Sequence, residues 1–296
     1  MLLAFLSADA QQNELMAQYP SPMLENVREH YRVTQKDFNG YSLEIYDLLP
    51  HPVDVYIPLK AAGSRSPDML IHFLGNRNVV NYAADRYHGR LIAVTINLGA
   101  GSSVYARPFS DTTLFERLID TVRALVKIKL HHTLRIRHII LSGFSAGYGA
   151  VRKILSNPAD FGRVDEVLLL DGLHADYIPD REVLADGGKI DILEYTAFLR
   201  FCRLASEEHS RKKFLFTHSE IFPGTFVSTT ESADYLSRSL GMDPRPVLKW
   251  GPGGMQQISD VRKNHFEIMG FAGNSGPDHI DHLQGLWFFL RRLRKL

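Results

Sequence analysis

The segment of this chain best suited to nucleophilic chemistry is Gly143–Gly147, which reads Gly-Phe-Ser-Ala-Gly. It follows an apolar, strand-like run, Arg137–Ser142, and precedes a helix-like stretch that begins at Tyr148. A serine between glycines at such a turn can hold its hydroxyl clear of a sheet, and the N–H groups of the following helix favour developing negative charge. We therefore predict that Ser145 is a nucleophile; the alternative is a glycine-rich turn with a passive serine.

A serine nucleophile needs a general base, and two histidines near the end of the chain, His279 and His282, are candidates. The strand, serine turn and helix resemble the α/β-hydrolase arrangement, and this resemblance implies that the acid and then the histidine follow the serine in the sequence. His279 falls near the start of the predicted last helix, and His282 lies one turn further along. The sequence leaves the choice between them open.

The acid that orients the base also has more than one candidate. Glu220 is the first, because it comes directly after a strand-like segment, Lys213–Thr217. Asp171 is the second, because it ends the apolar run Val167–Leu170 that follows the serine strand. Glu231 and Asp278 are the remaining alternatives.

Two backbone N–H groups are needed to stabilise the oxyanion of a tetrahedral intermediate. We expect one from Ala146, the residue after the serine, and the other from Asn76, in the loop after a buried strand that ends at Phe73. A contribution to substrate binding is expected from the residues beside these groups: Leu74, Gly75, Phe144 and His174.

Apolar, β-branched runs alternate with amphipathic stretches along the chain, which is typical of a mostly parallel sheet covered by helices. Helical spacing predicts one helix over Leu114–Lys129 and another over Ile280–Leu293. Strands are predicted at Val53–Pro58, Asp68–Phe73, Arg90–Ile96, Ile136–Leu141, Val164–Leu170, Phe214–Thr217 and His265–Phe271.

Composition excludes several other classes of protein. The 296 residues carry a net charge of +1, without the basic stripe expected of a nucleic-acid-binding protein. No apolar run approaches the ~18–20 residues that span a bilayer. The single cysteine, Cys202, cannot form an internal disulfide. Residues 171–176 have metal-ligand types, but no second cluster accompanies them, so neither a metal nor a cofactor is predicted.

From these motifs the chain resembles the α/β-hydrolase superfamily over residues 50–296. The resemblance implies a sheet of about eight strands, a Ser-His-acid mechanism and activity on carboxylic esters. Two features depart from the usual pattern. Leu74-Gly75 stands where a His-Gly pair is common, and the apolar stretch Pro246–Trp250 is additional. We expect one domain over residues 26–296, with a lid insertion at 179–210 and an N-terminal arm or remnant of a secretory leader at 1–25.

The expected function is a serine hydrolase of small-molecule carboxylic esters that acts through an acyl-enzyme, with no nucleic-acid partner and no membrane span. A thioesterase, acyltransferase, amidase or peptidase with the same machinery is one alternative, and a non-catalytic binding protein is another. The sequence leaves the oligomeric state open. Localisation is also open: periplasmic or secreted if residues 1–10 end a leader, otherwise cytoplasmic.

Overall fold

The computed structural model describes residues 38–296, so the arm or leader predicted at 1–25 lies outside the described residues. Ten strands of this part of the chain form one sheet, in the order β1-β2-β4-β3-β5-β6-β9-β12-β11-β10, and β7 pairs with β8 in a separate ribbon. The strands are β1 (Gly40–Ile45), β2 (Val53–Pro58), β3 (Asp68–Phe73), β4 (Leu91–Ile96), β5 (Ile139–Phe144), β6 (Glu166–Leu170), β7 (Tyr177–Ile178), β8 (Lys189–Ile190), β9 (Lys213–His218), β10 (Arg245–Trp250), β11 (Gln256–Lys263) and β12 (Phe266–Phe271).

Ten α-helices occur within the same residues, most of them in the connections between strands. They are α1 (Leu59–Ala62), α2 (Arg77–Arg86), α3 (Ser102–Ala106), α4 (Leu114–Leu130), α5 (Tyr148–Ser156), α6 (Pro158–Arg163), α7 (Thr196–Ala205), α8 (Thr229–Ser239), α9 (Gly276–Gln284) and α10 (Leu286–Lys295).

The centre of the sheet is parallel, as the apolar runs predict. Strands β4, β3, β5, β6, β9 and β12 pair in parallel, and every residue of β3, β4, β5, β6 and β12 is buried. Parallel strands are covered on both faces by their crossover helices, which is why they read as continuous apolar segments. The prediction of a mostly parallel α/β sheet is confirmed.

The edges of the sheet are antiparallel and extend it from the expected eight strands to ten. Pro246–Trp250, whose place the sequence left open, lies in the edge strand β10 and pairs with β11. The residues of β10 are mostly exposed, so the stretch adds an edge to the sheet instead of filling its core.

One predicted helix is wrong in extent: Ile280–Leu293 is not continuous. Helix α9 ends at Gln284 and α10 begins at Leu286, with Gly285 between them. A Cβ at Gly285 would lie 2.6 Å from the Phe289 ring and 2.9 Å from the Pro252 ring. Glycine has low helix propensity and permits this close approach, which accounts for the end of α9 at this position.

The predicted lid insertion, 179–210, contains the second strand of the β7–β8 ribbon and α7, whose Phe198, Phe201 and Cys202 are buried. Part of this segment is therefore an ordinary crossover helix between β6 and β9. A lid function of the segment stays a prediction.

Within residues 38–296, no helix is long and apolar enough to cross a membrane. The same residues contain no group of three His, Cys, Asp or Glu side chains that could hold a metal ion.

Candidate functional site

Ser145 lies at a sharp turn between β5 and α5. Its φ is +47°, in the left-handed region that a residue with a Cβ rarely adopts. The turn is possible because Gly147 packs on the end of β3: a Cβ there would lie 2.2 Å from the Phe73 carbonyl oxygen. Ser145 and Ala146 are only partly buried, so the serine is open to solvent at the carboxyl edge of the sheet.

Asp171 follows β6, the strand beside β5. Phe144 and Leu170 are partners in the parallel register, so the residues that follow them, Ser145 and Asp171, leave the sheet side by side. Asp171 also has a positive φ, +41°. The next residue, Gly172, packs directly against the serine: a Cβ added at this position would lie 2.2 Å from the Ser145 carbonyl oxygen.

His279 is the histidine that the structure brings to this aspartate. Its Nδ1 lies 2.6 Å from Asp171 Oδ2, and its ring packs on Phe144 with 4.5 Å between ring centres. A carboxylate only accepts hydrogen bonds, so Nδ1 carries the proton and donates it, which leaves Nε2 as the basic nitrogen.

The Asp171 carboxylate accepts three further hydrogen bonds from neutral donors. Ser219 donates its backbone N–H to Oδ1 at 2.8 Å and its hydroxyl to Oδ2 at 2.7 Å, and the Thr229 hydroxyl donates to Oδ1 at 2.8 Å. Burial by itself raises the pKa of Asp171, but the neighbouring histidines and these donors outweigh it and hold the pKa well below its usual range. The carboxylate is therefore anionic at neutral pH.

The structure does not bring the other candidate base, His282, to Asp171 by a hydrogen bond. The nitrogen Nδ1 of His282 lies 2.7 Å from the Thr217 hydroxyl, and the ring meets Phe271 edge-on at 5.4 Å. Burial lowers the pKa of His282 to about 4. His282 is therefore a neutral side chain on the buried side of α9.

The first-choice acid, Glu220, is also placed elsewhere. Its carboxylate is exposed and accepts the Gly273 backbone N–H at 3.2 Å. Among the hydrogen bonds and ion pairs of residues 38–296, none joins Glu220 to His279 or His282. The other two candidates, Glu231 and Asp278, close capping boxes at the starts of α8 and α9.

No hydrogen bond within the described part of the chain joins Ser145 to His279. The contact of the His279 ring with Phe144, the residue before the serine, nevertheless places the imidazole beside the turn.

The predicted oxyanion loop begins at the end of β3 and is held by His72. The Nε2–H of this buried histidine donates to the Leu74 carbonyl oxygen at 3.1 Å, and Nδ1 accepts the Ser142 hydroxyl at 3.0 Å. Burial lowers the pKa of His72 to about 4, so the ring is neutral. Leu74 has a φ of +64°, which turns the chain into Gly75 beside the imidazole.

Asn76 has a structural use that the sequence did not indicate. Its side chain accepts the Asn78 N–H at 2.8 Å and caps the start of α2. Only its backbone N–H is thus a candidate oxyanion donor, as predicted. The oxyanion roles of Asn76 and Ala146 stay predictions.

His174 lies next to the serine helix. Its Nδ1–H donates to the Val227 carbonyl oxygen at 2.8 Å, and its ring contacts Tyr148 and Phe226. Burial lowers its pKa to about 4. A contribution of His174, Leu74, Gly75 or Phe144 to substrate binding stays a prediction.

Sequence reasoning missed Ser219 and Thr229, and it gave His72 no role of its own within the loop after β3. Ser219 directly precedes Glu220, and Thr229 follows the helix cap Ser228, so both read as ordinary turn or cap residues. Their hydroxyls reach Asp171 only because β6 and β9 are neighbours and α8 packs beside them.

The chain was compared with protein families, curated proteins and solved structures. No protein-family model matches the chain, and no curated protein matches it by sequence. The solved structures that are similar to it include three hydrolases. A mutant of the feruloyl esterase module from Clostridium thermocellum, in complex with sinapinate, is 12% identical, with a TM-score of 0.46 over 88% of this chain and 92% of that one.

An S-formylglutathione hydrolase from Agrobacterium tumefaciens is 14% identical, with a TM-score of 0.47 over 89% of this chain and 98% of its own. The enterobactin esterase from Shigella flexneri is 10% identical, with a TM-score of 0.48 over 88% of this chain and 61% of that one. Because all three scores are below 0.5, the fold assignment rests on the strand order and on the serine turn at the carboxyl edge of the sheet. The described residues form an α/β-hydrolase fold.

The close packing of Gly172 against the serine turn predicts that Gly172→Ala destabilises the protein by about 2 kcal/mol, since the new methyl group must displace backbone atoms. Urea unfolding measures the effect. The matched control is Gly162→Ala in α6, where no atom lies within 4 Å of the new Cβ. We expect no loss there, and equal effects of the two substitutions would contradict the packing argument.

The buried histidines predict how stability depends on pH. His72, His174 and His282 have pKa values of about 4 because burial disfavours the imidazolium, so the unfolded chain binds protons first as the pH falls below about 6.5. Their contribution to stability is complete above pH 6.5 and is lost between about 6.5 and 4. Burial raises the pKa of Glu166 to about 7, so protonation of this one group favours the folded state as the pH falls. The three histidines together outweigh this single contribution.

Urea unfolding between pH 7 and pH 4.5 should therefore show a free energy of unfolding that falls with acidification. His282→Gln removes one titrating group and should make this fall shallower. A stability that stays constant or rises as the pH is lowered would refute the expectation.

Proposed function

We propose that this chain is a serine hydrolase that cleaves carboxylic esters. The observation that carries the proposal is the 2.6 Å hydrogen bond between His279 Nδ1 and the buried Asp171 carboxylate, formed beside the strained turn of Ser145. A histidine held in this tautomer by an anionic carboxylate is the arrangement that activates a serine hydroxyl.

In the proposed reaction, Ser145 Oγ attacks the acyl carbonyl and His279 Nε2 accepts its proton. The charge of Asp171 stabilises the imidazolium that forms, while the four hydrogen bonds on the carboxylate keep it oriented. His279 then protonates the leaving alcohol, which leaves an acyl group on Ser145. Water activated by the same nitrogen hydrolyses this acyl-enzyme.

The oxyanion is stabilised in this proposal by the backbone N–H groups of Ala146 and Asn76. Ala146 lies in the helical turn Ser145–Gly147 that leads into α5, and Asn76 lies in the loop whose Leu74 carbonyl accepts a hydrogen bond from His72. Gly147 packs directly on the Phe73 carbonyl, which brings the start of this loop against the serine turn. The chemistry requires protein groups and water alone.

The first test asks whether Ser145 is the nucleophile and which of the two histidines is the general base. Ser145→Ala and His279→Gln should each lower kcat on p-nitrophenyl acetate by roughly 10⁴-fold or more, because each removes a group that acts in the transition state. His282→Gln is the matched control and should retain kcat within about tenfold. A fluorophosphonate probe should label the wild-type protein at Ser145, as mass spectrometry would show.

Near-complete activity in the folded Ser145→Ala protein would disprove the assignment of the nucleophile. Absence of both ester turnover and labelling in the wild type would favour a non-catalytic binding protein. If His282→Gln were the more damaging of the two histidine substitutions, the base would be assigned wrongly.

A second test compares the two carboxylates. Asp171→Asn should lower kcat by about 10⁴-fold, because an amide no longer fixes the productive tautomer of His279. Glu220→Gln should change kcat by only a small factor, since its side chain binds a loop N–H at the surface. Circular dichroism controls for folding. If Glu220→Gln lowered kcat more than Asp171→Asn, Glu220 would be the acid and the assignment of Asp171 would be wrong.

A further inference from the structure

Beside the serine helix α5 lies a cavity of about 710 Å³, within the size range of small-molecule sites. It is bordered by α3, α5, the first turns of α7 and the residues directly before α7. Four cationic side chains line it, against one carboxylate, Glu194; the cations are Arg107, Arg152, Lys153 and Arg200. The proposed reaction at Ser145 makes no use of these charges.

Two of the cations are held in place by neighbours. Arg152 forms an ion pair with Glu194 at 2.9 Å and lies over the Tyr148 ring at 5.3 Å. Arg200 lies over the Phe161 ring at 4.2 Å. The side chains of Arg152 and Arg200 are therefore already restricted in conformation. They lose little further conformational entropy when a ligand binds to them.

The other two cations, Arg107 and Lys153, form no hydrogen bond or ion pair with any side chain in residues 38–296. After the pairing of Arg152 with Glu194, three positive charges still share one concave surface. Like charges that converge in a cavity repel one another, and a bound anion removes this cost.

The cavity lies along α5, the helix that follows the serine turn. Tyr148 begins α5 three residues after Ser145, and Gly149, Arg152 and Lys153 line the cavity on the following turns. At about 1.5 Å of rise per residue, Arg152 is on the order of 10 Å along the helix from the nucleophile.

We infer that this cavity binds a distal anionic group, a carboxylate or a phosphate, of the ester substrate whose carbonyl lies at Ser145. The inference rests on the proposed function, because it assigns a substrate class to the site at Ser145. It makes the enzyme selective for esters that carry a distal negative charge over neutral esters of the same length.

The test uses p-nitrophenyl half-esters of linear dicarboxylic acids, with a free distal carboxylate, and the same esters capped by a methyl group. A parallel series carries a distal phosphate. At the matching chain length, wild-type kcat/KM should favour the charged ester by about tenfold, and the preference should fall at high salt. The double variant Arg107→Gln/Lys153→Gln should lose that preference.

Lys127→Gln is the charge control, because Lys127 is exposed on α4 and does not line the cavity. It should keep the wild-type preference. A preference that survives in the double variant, or a wild type that does not discriminate at any chain length in either series, overturns the inference. The series with the larger preference identifies carboxylate or phosphate as the ligand group.

A binding measurement separates this inference from the proposed function. Calorimetry on the Ser145→Ala protein, with the free dicarboxylate and with inorganic phosphate as probes, requires no catalysis. Adding Arg107→Gln/Lys153→Gln should weaken binding of the preferred probe by about tenfold. If neither probe binds, or the added substitutions change nothing, the cavity is not an anion site even where ester turnover is intact. If the wild type turns over no ester but the probes bind as expected, only the proposed function fails.

Discussion

The arrangement of the site depends on one buried carboxylate. Asp171 accepts hydrogen bonds from Ser219, Thr229 and His279, and these partners come from the end of β9, the start of α8 and the first turns of α9. A buried anion is costly unless each oxygen is paired, so removal of any donor weakens the position of the others. The same interaction that keeps the carboxylate charged also orients the imidazole and anchors the last part of the chain to the sheet.

Backbone strain is concentrated at this edge of the sheet. Leu74, Ser145 and Asp171 all have positive φ, and each directly follows one of three neighbouring parallel strands. Glycines at 147 and 172 supply the space in which these turns pack on one another. Such strain costs of order 1–3 kcal/mol per residue and persists only where the surroundings enforce it. The wholly buried strands β3, β5 and β6 provide that rigid support, so the turns are held in the orientation that the proposed reaction requires.

Most of the central fold could be predicted from local pattern. Buried parallel strands carry continuous apolar runs, so β3 and the helix over residues 114–130 were located almost to the residue. The edge strands were harder, because half-exposed residues such as those of β10 lack this signal. The break at Gly285 was missed because amphipathic spacing continues through it, and only the packing of Phe289 and Pro252 against the glycine shows why the helix stops there.

The sequence by itself determined the serine turn, because glycine spacing and a strand-to-helix transition are local properties of the chain. It also offered two histidines as candidates for the proposed base. Only the tertiary structure decided that His279 and not His282 meets a carboxylate, and that this carboxylate is Asp171 and not Glu220. Both acids follow strands that end at the same edge. Which of them faces the imidazole depends on the order of strands in the sheet and on where the packing of α9 places His279, and neither is encoded in the spacing of residues along the chain.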